Sequence, residues 1–459
     1  MGETSNDSDK VVILGAGLAG LTAAFELKKN RIPFRLFEGS QRYGGRAWTL
    51  KSLNVSSQYA DIGGEKIEID HAAIQNLAKE LKLPLSEVSP DPLFSWHFNG
   101  KLNENEWKRK RQGLNQLFYK VSNEAYGATP QILSFQSKEQ FPKAVLLDQM
   151  SVSELLARLS SEMETSQKIF LEQLVRFEWG AEPSQISALH LVHWMRDSIR
   201  SNGGKSLRVS GGTSVLTQAL FDRVAGVLPE RTMKFGHRLI AIRRDESGMR
   251  LVFSSARGEI EIRAQKVICT LPANIMSQID GWEQIEMSPS NRSRLSRQAM
   301  GTHSKIIVGF KERFWRSQSS LSKGGLWLTD LPSQNVSQAG VPQSDFLSSI
   351  HGILQSQQGG STGEAAGSHS VQQLLKDLQK MDSKAIGFEN IEHVQNWKKS
   401  IWSGGSRAYL RPGQFQLLNT TVDASDWIFA GDTMGGYSFG TLNGAVQSAL
   451  DATKRFIKV

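Results

Sequence analysis

The chain is almost without cysteine. Cys269 is the only one in 459 residues, so no disulfide can close within it, and it lies in a strand-like segment, Lys266 to Leu271. A reducing compartment fits that usage, and a cytoplasmic location is expected. Long apolar runs are missing too. No stretch approaches the roughly 20 apolar residues that span a bilayer, and the first ten residues are polar, without the apolar run of a secretion signal. No integral membrane segment is therefore expected. The phosphate-binding spacing of a P-loop is absent, and no internal repeat is evident. His190 and His193 stand three apart in a helical segment, but no cysteine or acid cluster accompanies them. They read as helix histidines, and no metal site is expected. Acidic residues are outnumbered, 45 against 54 basic ones, for a net charge of +9. The excess is diffuse. Its densest run, Lys108-Arg109-Lys110-Arg111 beside Trp107, reads as a solvated helical face and not as a nucleic-acid or anionic-membrane patch, since no aromatic repeat or nucleic-acid motif goes with it.

What is present begins at the N-terminus. The apolar run Val11-Val12-Ile13-Leu14 leads into Gly15-Ala16-Gly17-Leu18-Ala19-Gly20, three glycines spaced G-x-G-x-x-G with a helix to follow. Gly15 permits the tight turn, Gly17 lets the backbone approach a pyrophosphate, and Gly20 lets helix and strand pack closely. The helix N-terminus turns its unpaired N–H groups toward the phosphates. Glu38 ends a second strand, Phe34 to Phe37, where a carboxylate accepts hydrogen bonds from ribose hydroxyls. An adenine dinucleotide is thus expected within the first fifty residues.

A chain of this length predicts two domains or more. Asp70 is placed to cap a helix from His71 to Leu81, and Ser151-Val152-Ser153-Glu154 has capping-box spacing. Residues 85–204 read as mostly helical, with Leu155, Leu156 and Leu159, then Ile186, Leu189, Val192 and Met195, at helical intervals. Strand-like runs are expected at Leu207–Val209, Leu239–Ile242, Arg250–Phe253, Val267–Leu271 and Ile306–Phe310, with Pro272 ending the fourth. Helices are expected over Val215–Val224 and from Asn443 to Phe456. The Ser/Gln/Gly-rich stretches Arg316–Lys323 and Gln355–Ser370 read as surface loops or helix ends.

Near the C-terminus, Trp427-Ile428-Phe429-Ala430-Gly431-Asp432 reads as a strand ending in Gly-Asp, followed by Gly435, Gly436 and Gly440 and then a helix. An NAD enzyme has no use for a second glycine-rich strand–turn–helix at its far end. FAD does, because its ribityl chain and ring extend well beyond the pyrophosphate. FAD is the expected cofactor, with the last helix directing N–H groups and its positive end at the flavin ring.

These residues together resemble the flavin-containing amine oxidase family, which includes monoamine oxidases, polyamine oxidases and L-amino-acid oxidases. The resemblance covers nearly the whole chain. It runs through the dinucleotide fingerprint, Arg42-Tyr43-Gly44-Gly45-Arg46, Asp61-Ile62-Gly63-Gly64-Glu65, Val209-Ser210-Gly211-Gly212-Thr213, Cys269-Thr270-Leu271-Pro272, Gly301 to Lys305, Trp397, Ser403-Gly404-Gly405-Ser406, and Phe429-Ala430-Gly431-Asp432 leading to Gly440-Thr441-Leu442-Asn443-Gly444-Ala445. Each piece is weak alone; their order and spacing are specific at family level.

The resemblance implies roles. Gly15, Gly17, Ala19 and Gly20 match the phosphate loop, and Glu38 the ribose acid. Gly44, Gly45 and Arg46 match the arginine turn beside pyrophosphate and flavin, and Gly63 and Gly64 the turn along the flavin. Leu239 matches a residue whose backbone meets the adenine. Gly431 and Asp432 match the ribityl side, and Leu442 a backbone N–H at the flavin ring. Lys305 matches the catalytic lysine that holds a water near the reactive flavin nitrogen; a lysine at a strand end can also simply snorkel to solvent. His303, two residues before it, is a lesser acid–base candidate. Monoamine oxidases carry a flavin-linked cysteine where this chain has Ser406, so FAD is expected to be held non-covalently. They also flank the substrate with two aromatic residues where this chain has Arg407 and Thr441. Arg407 has the fork that binds a carboxylate, unless it pairs with an acid of the protein. Tyr409, Tyr437, Trp402 and Phe439 are alternative aromatic walls.

The fold implied is α/β: a Rossmann-like FAD-binding domain of the GR2 flavoprotein type with a discontinuous mixed α+β substrate domain. The first is expected from 1–80, 205–283 and 400–459, the second from 81–204 and 284–399. The reaction implied is oxidation of the carbon next to an amine nitrogen, giving an imine, then aldehyde or ketone, with dioxygen reduced to hydrogen peroxide. The small-molecule partner is an amine or an amino acid. An L-amino-acid oxidase, a desaturase resembling protoporphyrinogen oxidase, and a non-catalytic flavin-binding subunit stand as alternatives. A homodimer is allowed for, with no residue to mark it.

Overall fold

A segment that is apolar without interruption buries both faces of its strand, whereas one that alternates buries only one. The strand Gly258–Cys269 does both in turn. Its first half, Gly-Glu-Ile-Glu-Ile-Arg, alternates and pairs antiparallel with Gly248–Ser255; its last residues, Val267-Ile268-Cys269, are fully buried and pair parallel with Asp9–Leu14 on one side and Trp427–Phe429 on the other. This is the hinge of a seven-stranded sheet in a computed structural model that describes residues 9–51, 53, 58–88, 94–102, 104–127, 141–200, 206–226, 232–246, 248–317, 326–339, 351–415, 422 and 424–457. The sheet order is Met233–Lys234, Arg35–Phe37, Asp9–Leu14, Gly258–Cys269, Gly248–Ser255 and Arg238–Asp245, with Trp427–Phe429 beside the fourth. The helix Leu18–Lys29 follows the first strand and packs with the closing helix Leu442–Lys454 and with Thr213–Ala225. The first and last βα turns therefore follow the two strands that flank Gly258–Cys269, in one parallel set. The fold is the Rossmann-like α/β arrangement expected, joined to a mixed α+β part.

The second sheet, also of seven described strands, runs Phe388–Asn396, Ser304–Phe310, Gly352–Gln358, Asn335–Gln338, Leu326–Thr329, Phe94–Phe98, Lys101–Leu102. Every residue of Ser304–Phe310 is buried. Strand alternation sorts them. Ile306, Val308 and Phe310 face the helix His369–Met381 through Val371, Leu374 and Leu378. Ile307, with Ile353 of the next strand, packs on Ala60 and Ile62. Lys305 shares the face of Ile307 and so points toward the segment carrying Gly63 and Gly64. A helical layer, Glu104–Tyr126, Pro142–Gln149, Val152–Arg158, Thr165–Trp179 and Ala188–Arg200, closes one side around Trp107, Phe118, Phe170 and Trp179. The basic run lies on the first of these helices, where Lys110 pairs with Glu106 and Glu164 at 2.9 and 2.7 Å while Trp107 is buried. No described helix is long and apolar enough to cross a membrane.

Three expectations change. Gln355–Ser370 is not a surface loop: Gly352–Gln358 is a central strand, followed by the helix Gly360–Ala365. Its polar side chains lie inside the fold because several of them find partners on distant segments. Ser356 Oγ donates to Ser333 O at 2.8 Å, and Gln357 Nε2 donates to Phe177 O at 2.9 Å. Residues 85–204 do not begin helical: Leu85–Val88 pairs with Ser206–Val209, and Phe94–Phe98 turns back into Lys101–Leu102. The signal was Asn99-Gly100, whose φ values of 50° and 74° fit the two-residue hairpin turn that Asn-Gly favours. Asp70 does not cap its helix. His71 takes the cap position of Ala72–Glu80, its Nδ1 accepting from the Glu68 N–H at 3.1 Å. The capping box at Ser151–Glu154 is present in both directions. Arg316 and Ser317 end a short turn, Phe314–Ser317, and the rest of the Arg316–Lys323 stretch lies outside the described residues.

Candidate active site

One cavity of about 740 Å³ passes between the two sheets and the helical layer. Over the first sheet it is lined by Gly15, Gly17, Ala19, Glu38, Leu239 and Phe253. Next come Gly44, Gly45, Arg46, Gly431 and Asp432, then Gly63, Gly64, Lys305, Thr441 and Leu442. On the helical side it meets Phe177, Glu178, His190, His193, Arg407 and Phe439. Turns from the two extremities of the sequence thus open into the same space.

The backbone around that space is shaped to leave room. A Cβ on Gly17 would meet nothing but Gly45 Cα, at 4.0 Å, and one on Gly431, held at φ 140°, would meet nothing within 4 Å. Gly20 does not line the cavity. A Cβ there would fall 1.9 Å from Gly15 O, so its part is the close packing of helix on strand. The helix Leu18–Lys29 has no acidic residue in its first turn and no side-chain cap at Gly17, so its positive end is free for an anion. Glu38 turns inward: Oε2 accepts from the Ala16 N–H and Oε1 from the Ser40 N–H, both at 2.8 Å. A carboxylate offers about four lone-pair sites, so capacity for a ribose hydroxyl remains. Leu239 lies where the strand Arg238–Asp245 slips register before Ala241. Arg46 grips Asp432 with both terminal nitrogens, at 2.6 and 3.0 Å, and also donates to Ser406 O, so three distant segments meet at one guanidinium. A long group with an anionic middle fits this donor set.

Lys305 is buried and does not snorkel. Its Nζ donates to Asp61 O at 2.7 Å and to Glu65 Oε2 at 2.9 Å. Glu65 accepts on its other oxygen from Arg208 Nη2 at 3.0 Å. Burial works against that charge, but Lys305 and Arg208 hold the carboxyl down at about 2. Sequence reasoning missed Glu65, although it directly follows Gly64; the signal was that a buried ammonium demands an anion. Gln357, the cross-strand neighbour of Lys305, was also missed and also lines the cavity; reading its strand as a loop hid it.

His303 is no free acid–base group. Its Nε2 donates to Phe177 O at 2.9 Å, which leaves Nδ1 to accept from Ser406 Oγ at 2.8 Å. Burial, opposed by the Phe177 carbonyl, pushes it down to about 4, so the ring is neutral. Arg407 lines the cavity but is paired: Nη1 donates to Glu178 O and Glu178 Oε2 at 3.0 and 3.1 Å. Thr441 caps the closing helix, accepting from the Gly444 N–H at 3.1 Å and donating to Ser438 O at 2.6 Å. Tyr409 is not a wall of the cavity. Paired with Ala299 in a short ladder, it is buried in the core of the helical layer. Trp402 and Phe439 do line the cavity; the side chain of Tyr437 lies outside the described residues. His190 and His193 line it from the helix Ala188–Arg200, and no metal-binding cluster exists among the described residues. Cys269 is buried away from it, its Sγ 3.7 Å from Met276 Sδ, and burial pushes its thiol up to about 12.

The pentapeptide Gly436-Tyr437-Ser438-Phe439-Gly440 spells the serine-hydrolase elbow G-x-S-x-G. The geometry is wrong for one. No strand feeds the turn, which follows the short helix Asp432–Met434, and Ser438 Oγ accepts from Asn443 Nδ2 at 2.8 Å.

Comparison with known proteins points the same way. Residues 18–457 match the family described as flavin containing amine oxidoreductase. The chain is 22% identical over 472 residues to amine oxidase [flavin-containing] A of Sus scrofa, covering 97% of this chain and 84% of that protein. It is 24% identical over 476 residues to amine oxidase [flavin-containing] B of Homo sapiens, covering 99% and 86%. Among solved structures, cyclohexylamine oxidase from Brevibacterium oxydans IH-35A superposes with a TM-score of 0.78 at 19% identity, covering 98% of each chain. Putrescine oxidase bound to putrescine gives 0.79 at 18% identity with the same coverage.

Proposed function

The chain belongs to the flavin-containing amine oxidoreductase family, and from that premise we propose that it oxidises the carbon beside the nitrogen of a small polar amine, with FAD as its cofactor and dioxygen as the final acceptor. The observation that carries this reading is the convergence of both glycine turns and Lys305 on one cavity. When bound, FAD supplies the hydride acceptor. The chain's residues do the rest. Gly17 and Gly45 let the backbone approach the pyrophosphate, under the N-terminus of Leu18–Lys29. Arg46 and Asp432 would hold the ribityl side. Lys305 presents an ammonium that orders a water at the reacting edge and favours negative charge there. With both nitrogens of His303 engaged, the amine enters already neutral, having left its proton to solvent. Water then hydrolyses the imine, and hydrogen peroxide leaves. Ser406 stands where a flavin-linked cysteine would be, and Cys269 is elsewhere, which supports non-covalent binding.

Arg407 and Glu178 shape the substrate end. An amino-acid carboxylate would have to displace Glu178 from Arg407, so a simple amine is the first reading and an amino acid the second. A large apolar substrate is not favoured by a wall that holds Glu178, His190, His193 and Arg407. The strands of the first sheet all fall within 1–80, 205–283 and 400–459, and those of the second within 81–204 and 284–399. That distribution supports the same two-domain division, which we retain together with a cytoplasmic location as part of the proposal. The test is an anaerobic screen of amines and amino acids against the FAD-loaded protein, followed by visible absorbance. Bleaching by an amine, with peroxide formed on admitting air, is expected. A bound flavin that no amine or amino acid bleaches would overturn the reading.

A further inference from the structure

We propose that Glu65 is the positioning residue that keeps Lys305 an ammonium and aims it into the cavity. The inference rests on reading the cavity as the flavin site and Lys305 as acting in it. Lys305 emerges from the central strand Ser304–Phe310 with a side chain 4% exposed. An isolated ammonium so placed would lose much of its hydration, which favours the neutral amine.

The charged and titratable groups around it come from five elements. Two residues before it, ahead of its strand, is His303, a neutral ring with both nitrogens engaged. On the neighbouring strand Gly352–Gln358 are only amides, Gln355 and Gln357, and on the other neighbour, Phe388–Asn396, the amide Gln395 stands opposite Lys305 and His393 opposite Ile307. From the strand Ser206–Val209 comes Arg208, a second cation. From the segment 61–65 come Asp61 and Glu65. The Asp61 carboxylate is turned away, its Oδ1 accepting from Thr49 Oγ1 and from both the N–H and the hydroxyl of Thr213, and only its backbone carbonyl meets Lys305. Glu65 alone, among the described residues, sets a carboxylate against the lysine, 2.9 Å away, while its other oxygen takes Arg208 and Gln355 reaches both. Two cations therefore share the carboxylate of Glu65. Arginine does not give up its proton in a protein, so the loss of Glu65 falls on Lys305.

The experiment follows the two-electron reduction potential of the bound flavin against pH in the FAD-loaded protein, for wild type, Glu65→Gln, Lys305→Met and the double variant. Glu65→Gln is expected to show a break about one to three pH units below any in wild type, the range over which a lost counter-charge moves a neighbour. Below the break its potential lies above wild type, because an anion is gone, and across the break it falls by the loss of one positive charge. The double variant shows no such break, and Glu65→Asp restores the wild-type curve. Glu65→Gln superposing on wild type while Lys305→Met departs overturns the proposal alone. Lys305→Met superposing on wild type at every pH overturns the reading of Lys305 and the proposal with it. Should Glu65→Gln fail to fold, Arg208→Gln tests the same cluster from the other side. It leaves Glu65 to Lys305 alone and moves the break to higher pH; a move to lower pH overturns the proposal.

Discussion

Gly17 and Gly20 sit three residues apart in one loop and have different tasks. Valine at Gly17, where an added side chain meets only the edge of Gly45, would stand where a pyrophosphate is to lie. Gly17→Val is expected to leave the melting temperature of the cofactor-free protein near wild type while weakening FAD binding about tenfold or more, over 1.4 kcal/mol. Gly20→Ala puts a methyl group 1.9 Å from Gly15 O. It is expected to lower stability by about 1–3 kcal/mol, as overpacking does. Thermal melts and flavin fluorescence titrations separate the two, and a Gly17 variant that binds FAD normally would deny the loop its role. Lys305→Met, nearly isosteric, is expected to retain FAD but slow reduction or reoxidation by about 10²–10³-fold, the scale of losing one preorganised donor. Stopped-flow rates for both half-reactions check it; unchanged rates in both would remove the lysine from the chemistry. The glycines were legible in the sequence because only a turn or a close approach explains their spacing. Glu65 was not, because a single acid in a chain with 45 of them gains meaning only when a buried lysine is seen to face it.

Elements were legible where a local rule fixes them. The capping box of Val152–Arg158 depends on Ser151 alone for its side-chain acceptor: Ser151 Oγ accepts from the Glu154 N–H at 3.2 Å, while Glu154 Oε2 accepts from the Ser151 N–H at 2.7 Å. Ser151→Ala should cost about 0.5–2 kcal/mol, read as a lower urea midpoint with unchanged flavin content. A midpoint equal to wild type would mean that tertiary packing, not the cap, holds the helix. The strand Gly352–Gln358 shows where local rules fail. Its Gln-Ser-Gln-Gln reads as solvent-exposed, and partners from elsewhere in the fold, among them the carbonyls of Ser333 and Phe177 and the carboxylate of Glu65, make its place inside tolerable. That strand supplies Gln357 to the cavity and Gln355 to Glu65, so the same long-range satisfaction that hid the element hid part of the site.

At the scale of the molecule, the second sheet meets the segment leading to Gly63 through a small apolar contact, Ile307 and Ile353 on Ala60 and Ile62, and other links between the parts are polar and include titratable groups. His303, a neutral ring, ties the helix Thr165–Trp179 to the Ser406 loop. Its folded value of about 4 lies below the ordinary 6.5, so the unfolded chain binds the extra proton first. Its contribution is complete above pH 6.5, declines as pH falls, and is exhausted below about 4. A difference of that size corresponds to about 3 kcal/mol. Glu65, held at about 2 against an ordinary 4.5, acts in the next window: its contribution is complete above pH 4.5 and is lost as pH falls toward 2. The cofactor-free protein is therefore expected to weaken in two overlapping stages on acidification. His71, His97, His190 and His393 are displaced downward in the same sense by burial, so the stages are resolved by difference. Urea unfolding free energies between pH 7 and 3 should fall less steeply for His303→Gln than for wild type from 6.5 to 4, despite a lower value at neutral pH, and run parallel above 6.5. Curves parallel over the whole range would show that protonation of His303 does not loosen the join between that helix and the Ser406 loop.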